Sequence, residues 1–252
     1  MKIPIIRGLI DRRILVNYRV DPEVLALLLP PPFRPKIVHG FGMVGICLIR
    51  LRSIRPKGLP AWLGISSENA AHRSAVEWDE QGTVREGVFI RRRDTNSRLN
   101  ALAGGRLFPG VHHHAQFTVH ETASHFDVAL RSDDGETSMA VEADLADHFP
   151  AGSLFGSLAE ASEFFQAGSL GYSVTSCDTT FQGMELRCPD WNVEPLTVSK
   201  VDSSFFGDSS VFPAGSISFD CALLMRAIEH EWHGQRDLCC DKTAAAELAV
   251  AT

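Results

Sequence analysis

The chain has 252 residues, a hydrophobic fraction of 44 % and a charged fraction of 22 %, values typical of a globular protein that builds its own core. A net charge of −7 argues against nucleic acid as the main partner, because phosphate binding needs a dense basic surface. No segment has the ~20 consecutive apolar residues of a membrane span, and no long apolar signal segment follows the first methionine. We therefore expect a cytoplasmic protein with reduced thiols, and neither nucleic acid nor membrane as a partner.

Period-two alternation of apolar and polar residues dominates the chain and predicts strands joined by short turns. Residues 13–20 are expected to form a strand, followed by a helix with Asp21 as N-cap and Pro22 at its first position. Three further strands are predicted, the last two joined by the hairpin turn DEQGT, at residues 43–52, 66–78 and 83–93.

The middle of the chain interrupts this alternation at the segment TNSRLNALAGG. A short helix is expected there, with Asn96 or Ser97 as its cap and Gly104 and Gly105 at its end. Three strands are predicted to follow it, at residues 111–121, 125–131 and 137–145, the last two joined by the turn SDDG.

The second half contains the principal predicted helix, residues 154–166, which is marked by Ser153. Four more strands are predicted, at residues 170–175, 180–187, 191–205 and 216–225. About ten strands with few helices predict a mostly β fold, a single closed or nearly closed antiparallel β-barrel. We expect one domain over residues 1–235 and a C-terminal tail over residues 236–252.

Strand alternation assigns two polar residues to an apolar face. In SENAAHRSAVEW, Glu68 and His72 share a face with Val76 and Trp78. A buried carboxylate is costly unless it is paired or functional, so Glu68 and His72 are candidate acid–base residues. The alternative is a β-bulge near residues 70–71 that turns the polar end outward.

The histidine triplet divides between two faces of its strand. His113 lies on the face with the apolar residues of VHHHAQFTVHE, and it is the third candidate catalytic residue; the alternative is a core imidazole bonded to a backbone carbonyl. His112 and His114 share the polar face, where a pair two residues apart can chelate a metal. No further ligand follows at a suitable spacing, and the six cysteines have no zinc-type spacing. We therefore predict no metal and no other cofactor.

The charged segment IRRRD offers candidate ligand-binding residues. Arg92 and Asp94 share one face of the strand, and Arg93 lies on the other. An arginine at the mouth of a pocket can hold a carboxylate through two parallel hydrogen bonds. The alternative is an ordinary solvated strand end.

Four segments together resemble one protein family. They are NYRVDPEVLALLLP, ENAAHRSAVEW, RRRDTNSRLNALAGGRLFPGVHHHAQF and FDCALLMRAIEHEW. In this order they resemble the YqjF-like family of uncharacterised proteins, which is grouped with the acetoacetate decarboxylase-like superfamily. The resemblance spans residues 13–232 and implies a closed β-barrel or double-sheet cone with a central cavity.

The resemblance also identifies a difference in chemistry. In the founding enzymes of the superfamily one lysine of an adjacent pair attacks the keto acid as a Schiff base. The corresponding position here is expected in AGGRLFPG, which contains Arg106 and no lysine. An arginine stays protonated and cannot serve as that nucleophile. The resemblance thus implies that Arg106 and His113 face the cavity. It does not imply that this chain is a lysine Schiff-base decarboxylase.

Three functions remain open at this point. The first is a lyase-like or acid–base enzyme for a small organic acid or carbonyl compound, with Glu68 or His72 moving the proton and Arg106 or Arg92 holding an oxyanion. The second is a non-catalytic barrel that binds a small acid in the same cavity. The third is a structural barrel filled by its own side chains. All three are compatible with a homo-oligomer.

Overall fold

Strands make up most of the computed structural model, which describes residues 4–102, 110–177 and 179–239. The strands are β1 (Ile6–Val20), β2 (Arg34–Pro35), β3 (Ile37–Val38), β4 (Phe41–Pro56), β5 (Ile65–Glu80), β6 (Thr83–Thr95), β7 (His112–Glu121), β8 (His125–Ser132), β9 (Ser138–Leu145), β10 (Leu170–Val174), β11 (Thr180–Arg187), β12 (Glu194–Ser203), β13 (Ile217–Gly234) and β14 (Leu238–Cys239). The helices are α1 (Pro22–Leu28), α2 (Arg98–Leu102) and α3 (Leu158–Ala167), with a 3-10 turn at Ala61–Leu63. Within these ranges, no helix has the length and apolar character needed to cross a membrane.

The strands form two hydrogen-bonded rings that share one wall. The larger ring runs through β6, β7, β8, β9, β12, β13, β1, β4 and β5, and the β5–β6 pairing completes it. On the other side, β10 and β11 connect β6 to β13 and complete a smaller ring of seven strands. The shared wall consists of β13, β1, β4, β5 and β6. The predicted mostly β fold is confirmed, and its strands form two joined rings rather than a single barrel.

The wall strands are buried on both faces. In β1, Val16 belongs to the larger apolar core together with Val128 of β8, whereas the preceding residue Leu15 belongs to a smaller core together with Phe165 of α3. Successive strand residues point to opposite sides, so a strand covered on both sides needs an almost continuous apolar run. The sequence GMVGICLIRL of β4 has this character, and seven consecutive residues of β4 are buried.

Two pairings differ from the antiparallel arrangement predicted from the sequence. Strand β6 runs parallel to both β7 and β10. Parallel neighbours cannot be joined by a tight turn, and the connection from β6 to β7 contains α2.

The Ser97 hydroxyl accepts a hydrogen bond of 3.3 Å from the backbone of Asn100, which confirms Ser97 as the cap of helix α2. The predicted helix end at Gly104 and Gly105 lies outside the described residues.

Of the two longer helices, α1 agrees with its prediction, whereas α3 begins later than predicted. Helix α1 is confirmed, since the Asp21 side chain accepts a hydrogen bond from the backbone of Glu23 and proline occupies the first position. Helix α3 begins at Leu158 instead of residue 154, and Ser157 is its N-cap. Ser153 lies four residues before this cap, where its hydroxyl accepts a hydrogen bond from the backbone of Phe155 and donates one of 2.6 Å to the buried Asp220 of β13.

Strand β13 is longer than the predicted strand at residues 216–225. It continues to Gly234, and Ala227 within it adopts a φ of +54°. This left-handed residue interrupts the in-and-out alternation, so the second half of the strand does not continue the pattern of the first. Strand β14 lies beyond residue 235, where the predicted domain ends, and pairs with β11.

We expect Gly87→Ala to destabilise the smaller ring. A Cβ at Gly87 would overlap the backbone carbonyl oxygen of Leu170, at the point where β10 lies against β6. Overpacking of this kind costs about 1–3 kcal/mol. Gly152→Ala is the control, since a Cβ there meets no atom within 4 Å. Urea denaturation should separate the two variants, and equal midpoints would contradict the close approach of β10.

Candidate functional site

A cavity of about 110 Å³ lies inside the seven-strand ring. All seven strands of this ring, together with α3, contribute residues to its lining. Much of the lining is apolar and includes Ile10, Ile49, Leu51, Ile90, Phe165 and Trp191. This volume suits a small organic molecule, and concave, mostly apolar sites with a few placed polar groups are typical of ligand pockets.

Three arginines of the shared wall line this cavity: Arg13 of β1, Arg73 of β5 and Arg93 of β6. Arg13 and Arg73 follow from simple alternation. Arg13 is two residues from Leu15, and Arg73 is two residues from Ala75, and both of these apolar residues belong to the smaller core.

Arg93 reaches the cavity through a β-bulge. His72 pairs with Arg92 and Arg73 pairs with Ile90, so Arg91 has no partner residue on β5. The extra residue shifts the alternation of β6 by one position. Ile90 and Arg93 therefore line the same cavity although they are three residues apart. The face assignment made for IRRRD from strict alternation did not include this shift.

None of these three guanidinium groups forms an ion pair with a carboxylate in the part of the chain that the structure describes. The Arg73 side chain donates hydrogen bonds to Asn17 Oδ1 and, over 3.0 Å, to Cys47 Sγ. Arg13 contacts Cys47 Sγ at 3.6 Å, and its Nε has no hydrogen-bond partner among the described residues. Arg93 Nε donates to the Ser173 hydroxyl over 3.0 Å.

Two of these guanidinium groups form cation–π contacts with aromatic rings. The Arg73 guanidinium lies 4.9 Å from the ring centre of Phe165, and that of Arg13 lies 5.7 Å from Trp191. Such contacts are attractive, but they do not neutralise the charge. Burial lowers the pKa of Arg93 to about 10, so this group also stays protonated at neutral pH. Unpaired buried charge is costly, and a bound anion would relieve that cost.

Cys47 is the acidic group in contact with this cluster. Burial by itself would raise the pKa of the thiol, but the positive charges of Arg73 and Arg13 outweigh this effect and lower it. Cys221, also buried and part of the same apolar core, shows the opposite shift, because burial and the nearby Asp220 both raise its pKa. Arg73 and Arg13 therefore account for the opposite pKa shifts of Cys47 and Cys221.

Neutral polar groups complete the lining. Burial lowers the pKa of His112 to about 4, and the charge of Arg93 contributes, so the imidazole is neutral near pH 7. His112 Nδ1 lies 3.2 Å from the carbonyl oxygen of Gly110. Asn69 and Asn100 also line the cavity. Together these groups can hold an anion, hydrogen-bond a carbonyl oxygen and exclude most water.

Glu68, a predicted catalytic residue, faces away from this cavity. It lies with His72 and Trp78 on the opposite face of β5, as the alternation predicted, and β5 has no bulge at residues 70–71. Its carboxylate pairs with Arg12 at 2.6 Å and with Arg50 at 2.5 Å. Both arginines also pair with a second carboxylate, Glu121. Glu68 is therefore part of a balanced ion-pair network.

His72 is enclosed in an apolar cluster. Its ring lies 5.5 Å from that of Phe205 and 5.7 Å from that of Phe206. Neither ring nitrogen has a hydrogen-bond partner among the described residues. Burial lowers the pKa of His72 to about 3, with smaller contributions from Arg92 and Arg91, so the ring is neutral at physiological pH.

Arg92, Asp94 and His113 form a separate cluster on the other side of β6. Asp94 also borders the cavity, but both of its carboxylate oxygens accept hydrogen bonds from Arg92 Nε. Arg92 additionally pairs with Asp134 and Glu136, each at 2.8 Å. His113 Nδ1 lies 2.9 Å from the same Asp134. His72, Arg92 and His113 border a shallow depression, in which carboxylates already surround the arginine.

Three further residues were considered from the sequence: Arg106, His112 and His114. Arg106 is outside the described residues. His114 contacts Asp133 at 2.7 Å, whereas His112 lines the cavity. Within the described ranges, no group of three or more histidine, cysteine, aspartate or glutamate side chains is arranged to hold a metal ion.

Sequence reasoning did not select Arg13, Arg73, Arg93 or Cys47. Alternation places Arg73 on the face opposite its neighbour His72, but that face was not recognised as the cavity face. A usable signal was present in the apolar run of β4, which indicates a strand covered on both sides. On such a strand the more polar face can also be interior.

Solved structures of similar fold are acetoacetate decarboxylase-like proteins. An acetoacetate decarboxylase-like enzyme from Sphingomonas wittichii RW1 has a TM-score of 0.56 at 12 % identity, covering 96 % of this chain and 94 % of its own. Acetoacetate decarboxylase from Legionella pneumophila subsp. pneumophila str. Philadelphia 1 has a TM-score of 0.56 at 13 % identity, covering 92 % and 87 %. The enduracididine biosynthesis enzyme MppR, complexed with pyruvate, has a TM-score of 0.54 at 14 % identity, covering 94 % and 90 %. These similarities show the fold.

The sequence family is narrower than the fold. The family model DUF2071, described as an uncharacterized conserved protein, matches residues 10–216. The chain therefore belongs to the DUF2071 family. The predicted resemblance to an uncharacterised acetoacetate decarboxylase-like family is confirmed. No significant match is found among curated proteins.

We expect His72→Phe to make the fold less sensitive to acid. The pKa of His72 is about 3 in the folded chain against 6.5 for an ordinary histidine, so the unfolded chain takes up the proton first as pH falls. Stability that is complete above pH 6.5 is therefore lost progressively toward pH 3. Phenylalanine takes up no proton and can keep the contacts with Phe205 and Phe206. Urea denaturation at several pH values should show the variant gaining on the wild type as pH falls, and parallel curves would contradict this.

Proposed function

We propose that the cavity binds a small organic acid that carries a carbonyl group, and that the protein acts on it without a Schiff-base lysine. The observation that carries this proposal is the set of three guanidinium groups, Arg13, Arg73 and Arg93, which line one small cavity without a carboxylate partner among the described residues. A carboxylate is the usual partner of such groups, because its two oxygens match two parallel N–H donors.

The ligand's size and polarity follow from the same lining. The cavity volume admits a molecule of a few non-hydrogen atoms, and the apolar residues around it favour a short hydrocarbon or carbonyl-bearing part. A fold neighbour supports this chemical class, since MppR has been solved with pyruvate bound. Arg93 is the best placed carboxylate ligand, because its guanidinium has the fewest described protein partners.

The proposed reaction class excludes an amine nucleophile. The lysines of the chain are Lys2, Lys36, Lys57, Lys200 and Lys242, and none of them is among the described residues that line the cavity. Guanidinium groups remain protonated and instead stabilise negative charge that develops on oxygen. We assign this role to the arginine cluster, while the role of Arg106 stays a prediction.

A second function, binding without turnover, also has an observation in its favour. Asp94, the one carboxylate bordering the cavity among the described residues, is already engaged by Arg92, which leaves no free carboxylate base there. NMR of a bound acid over time distinguishes the two functions. Chemical conversion of the acid supports the enzyme, and unchanged ligand supports the binding protein.

Arg93→Met is expected to weaken binding of small carboxylates by roughly 10- to 100-fold, because a hydrogen-bonded charge contributes about 1.5–3 kcal/mol. Arg226→Met is the matched control, since Arg226 pairs with Glu194 away from the cavity. Thermal-shift titration with 2-oxo acids, 2-hydroxy acids and simple monocarboxylates measures the effect. If no acid stabilises the wild type, or if one stabilises all three proteins equally, the cavity is not a carboxylate site.

Borohydride treatment in the presence of pyruvate or acetoacetate should leave the mass of the protein unchanged. Reduction would trap a Schiff base on lysine, and the cavity lining offers no lysine among the described residues. Intact-protein mass spectrometry is the measurement. A stoichiometric adduct that maps to a lysine would overturn this part of the proposal.

A further inference from the structure

Cys47 lies in the wall of the cavity, at the centre of the arginine cluster. Its Sγ accepts a hydrogen bond of 3.0 Å from Arg73 Nε and a longer one of 3.6 Å from Arg13 Nη2. The thiol is almost completely inaccessible to bulk solvent, and it lines the cavity. Two cationic groups from two different strands are therefore directed at one sulfur atom.

Charge balance favours the ionised form of this sulfur. Among the described residues, the other hydrogen-bond acceptors of Arg13 and Arg73 are Met225 Sδ and Asn17 Oδ1, neither of which carries a charge. Among the described residues, Cys47 is the one ionisable acid in hydrogen-bond contact with Arg13 and Arg73, and its thiolate can offset part of their charge. The lowered pKa of Cys47 is consistent with this geometry. A thiolate rather than a thiol is the reactive form of cysteine.

We propose that Cys47 is the nucleophile of this cavity and adds through its sulfur to the carbonyl carbon of the bound acid. This inference rests on the proposed function, because it uses the same cavity and the same class of ligand. It supplies a covalent route in a site without lysine. Cys47 becomes a catalytic residue, and Arg73 and Arg13 become the groups that keep it ionised.

The step balances without a further reactant. The thiolate electron pair forms the S–C bond, the carbonyl π bond breaks, and its electron pair moves to the oxygen. The resulting oxyanion is neutralised by a guanidinium group of the cluster, as in other sites that stabilise tetrahedral adducts. Reversal of the same movements releases the acid and restores the thiolate.

Alkylation with two small reagents tests the inference directly. Iodoacetate carries a carboxylate and iodoacetamide is its neutral analogue; in both reactions the thiolate carbon–sulfur bond forms as iodide leaves. The exposed thiols of Cys177 and Cys239 provide internal controls in the same sample. We expect the rate ratio of iodoacetate to iodoacetamide to be at least about tenfold higher at Cys47, because the guanidinium groups bind the carboxylate. Peptide mass spectrometry reads each site separately.

Two variants separate the roles of the arginines. Arg93→Met should remove the preference for iodoacetate at Cys47 and slow iodoacetamide less than Arg73→Met does, because Arg93 acts on the sulfur through its charge and has no described hydrogen bond to it. Arg73→Met should slow both reagents at Cys47, and increasingly so as pH falls below neutral, because the sulfur loses its nearest cation. A small acid that stabilises the wild type should also protect Cys47, a result that depends on no variant.

The outcomes distinguish this inference from the proposed function. If acids stabilise the wild type but neither reagent modifies Cys47, the nucleophile is wrong and the carboxylate site stands. If Cys47 reacts readily but shows the same reagent preference as Cys177 and Cys239, carboxylate binding is wrong, and with it the addition to a bound acid. Preferential labelling by iodoacetate together with protection by an acid supports both.

Discussion

The shared wall of β13, β1, β4, β5 and β6 is the constraint on which the rest of the structure depends. Both of its faces are covered, one by the larger core and the other by the smaller core and the cavity. In the buried middle of these strands a polar side chain therefore cannot turn to solvent simply by changing faces, because alternation delivers it to one interior or the other. Each such residue must find a partner, remain neutral or line a space that a ligand can fill.

The consecutive residues Arg12 and Arg13 show two of these outcomes side by side. Arg12 joins Arg50, Glu68 and Glu121 in a network that Asp11 and Arg52 extend, so three arginines face three carboxylates and the charge is balanced. Arg13 points to the opposite face and meets no carboxylate among the described residues. A buried charge is tolerated when its ion-pair partner is present, so the Arg12 cluster needs no ligand to explain it. In the part of the chain that the structure describes, the Arg13 cluster lacks such a partner, and a bound anion would supply one.

The sequence predicted the fold better than it predicted the site, and the reasons are local. Asp21 and Pro22 specify the start of α1 through short-range chemistry, and period-two alternation locates most strands. The bulge at Arg91 leaves no trace in a run of arginines, although it decides that Arg93 rather than Arg92 faces the cavity. On β5, the choice of Glu68 and His72 assumed one interior face, whereas both faces are interior. Contacts across neighbouring strands, such as Cys47 of β4 with Arg73 of β5, are set by strand register and not by spacing along the chain.

A cavity lined by arginine differs in its available chemistry from one lined by lysine. A desolvated lysine can lose its proton and attack, whereas a guanidinium group keeps its charge even where burial lowers its pKa to about 10, as for Arg93. His112, with a pKa of about 4, is neutral at physiological pH and adds no positive charge. In the proposed function the cluster binds the acid and stabilises an oxyanion, and its guanidinium groups supply no nitrogen nucleophile. In the proposal for Cys47 the electron pair for covalent addition comes from sulfur, and the arginine cluster that attracts the acid also keeps that sulfur ionised.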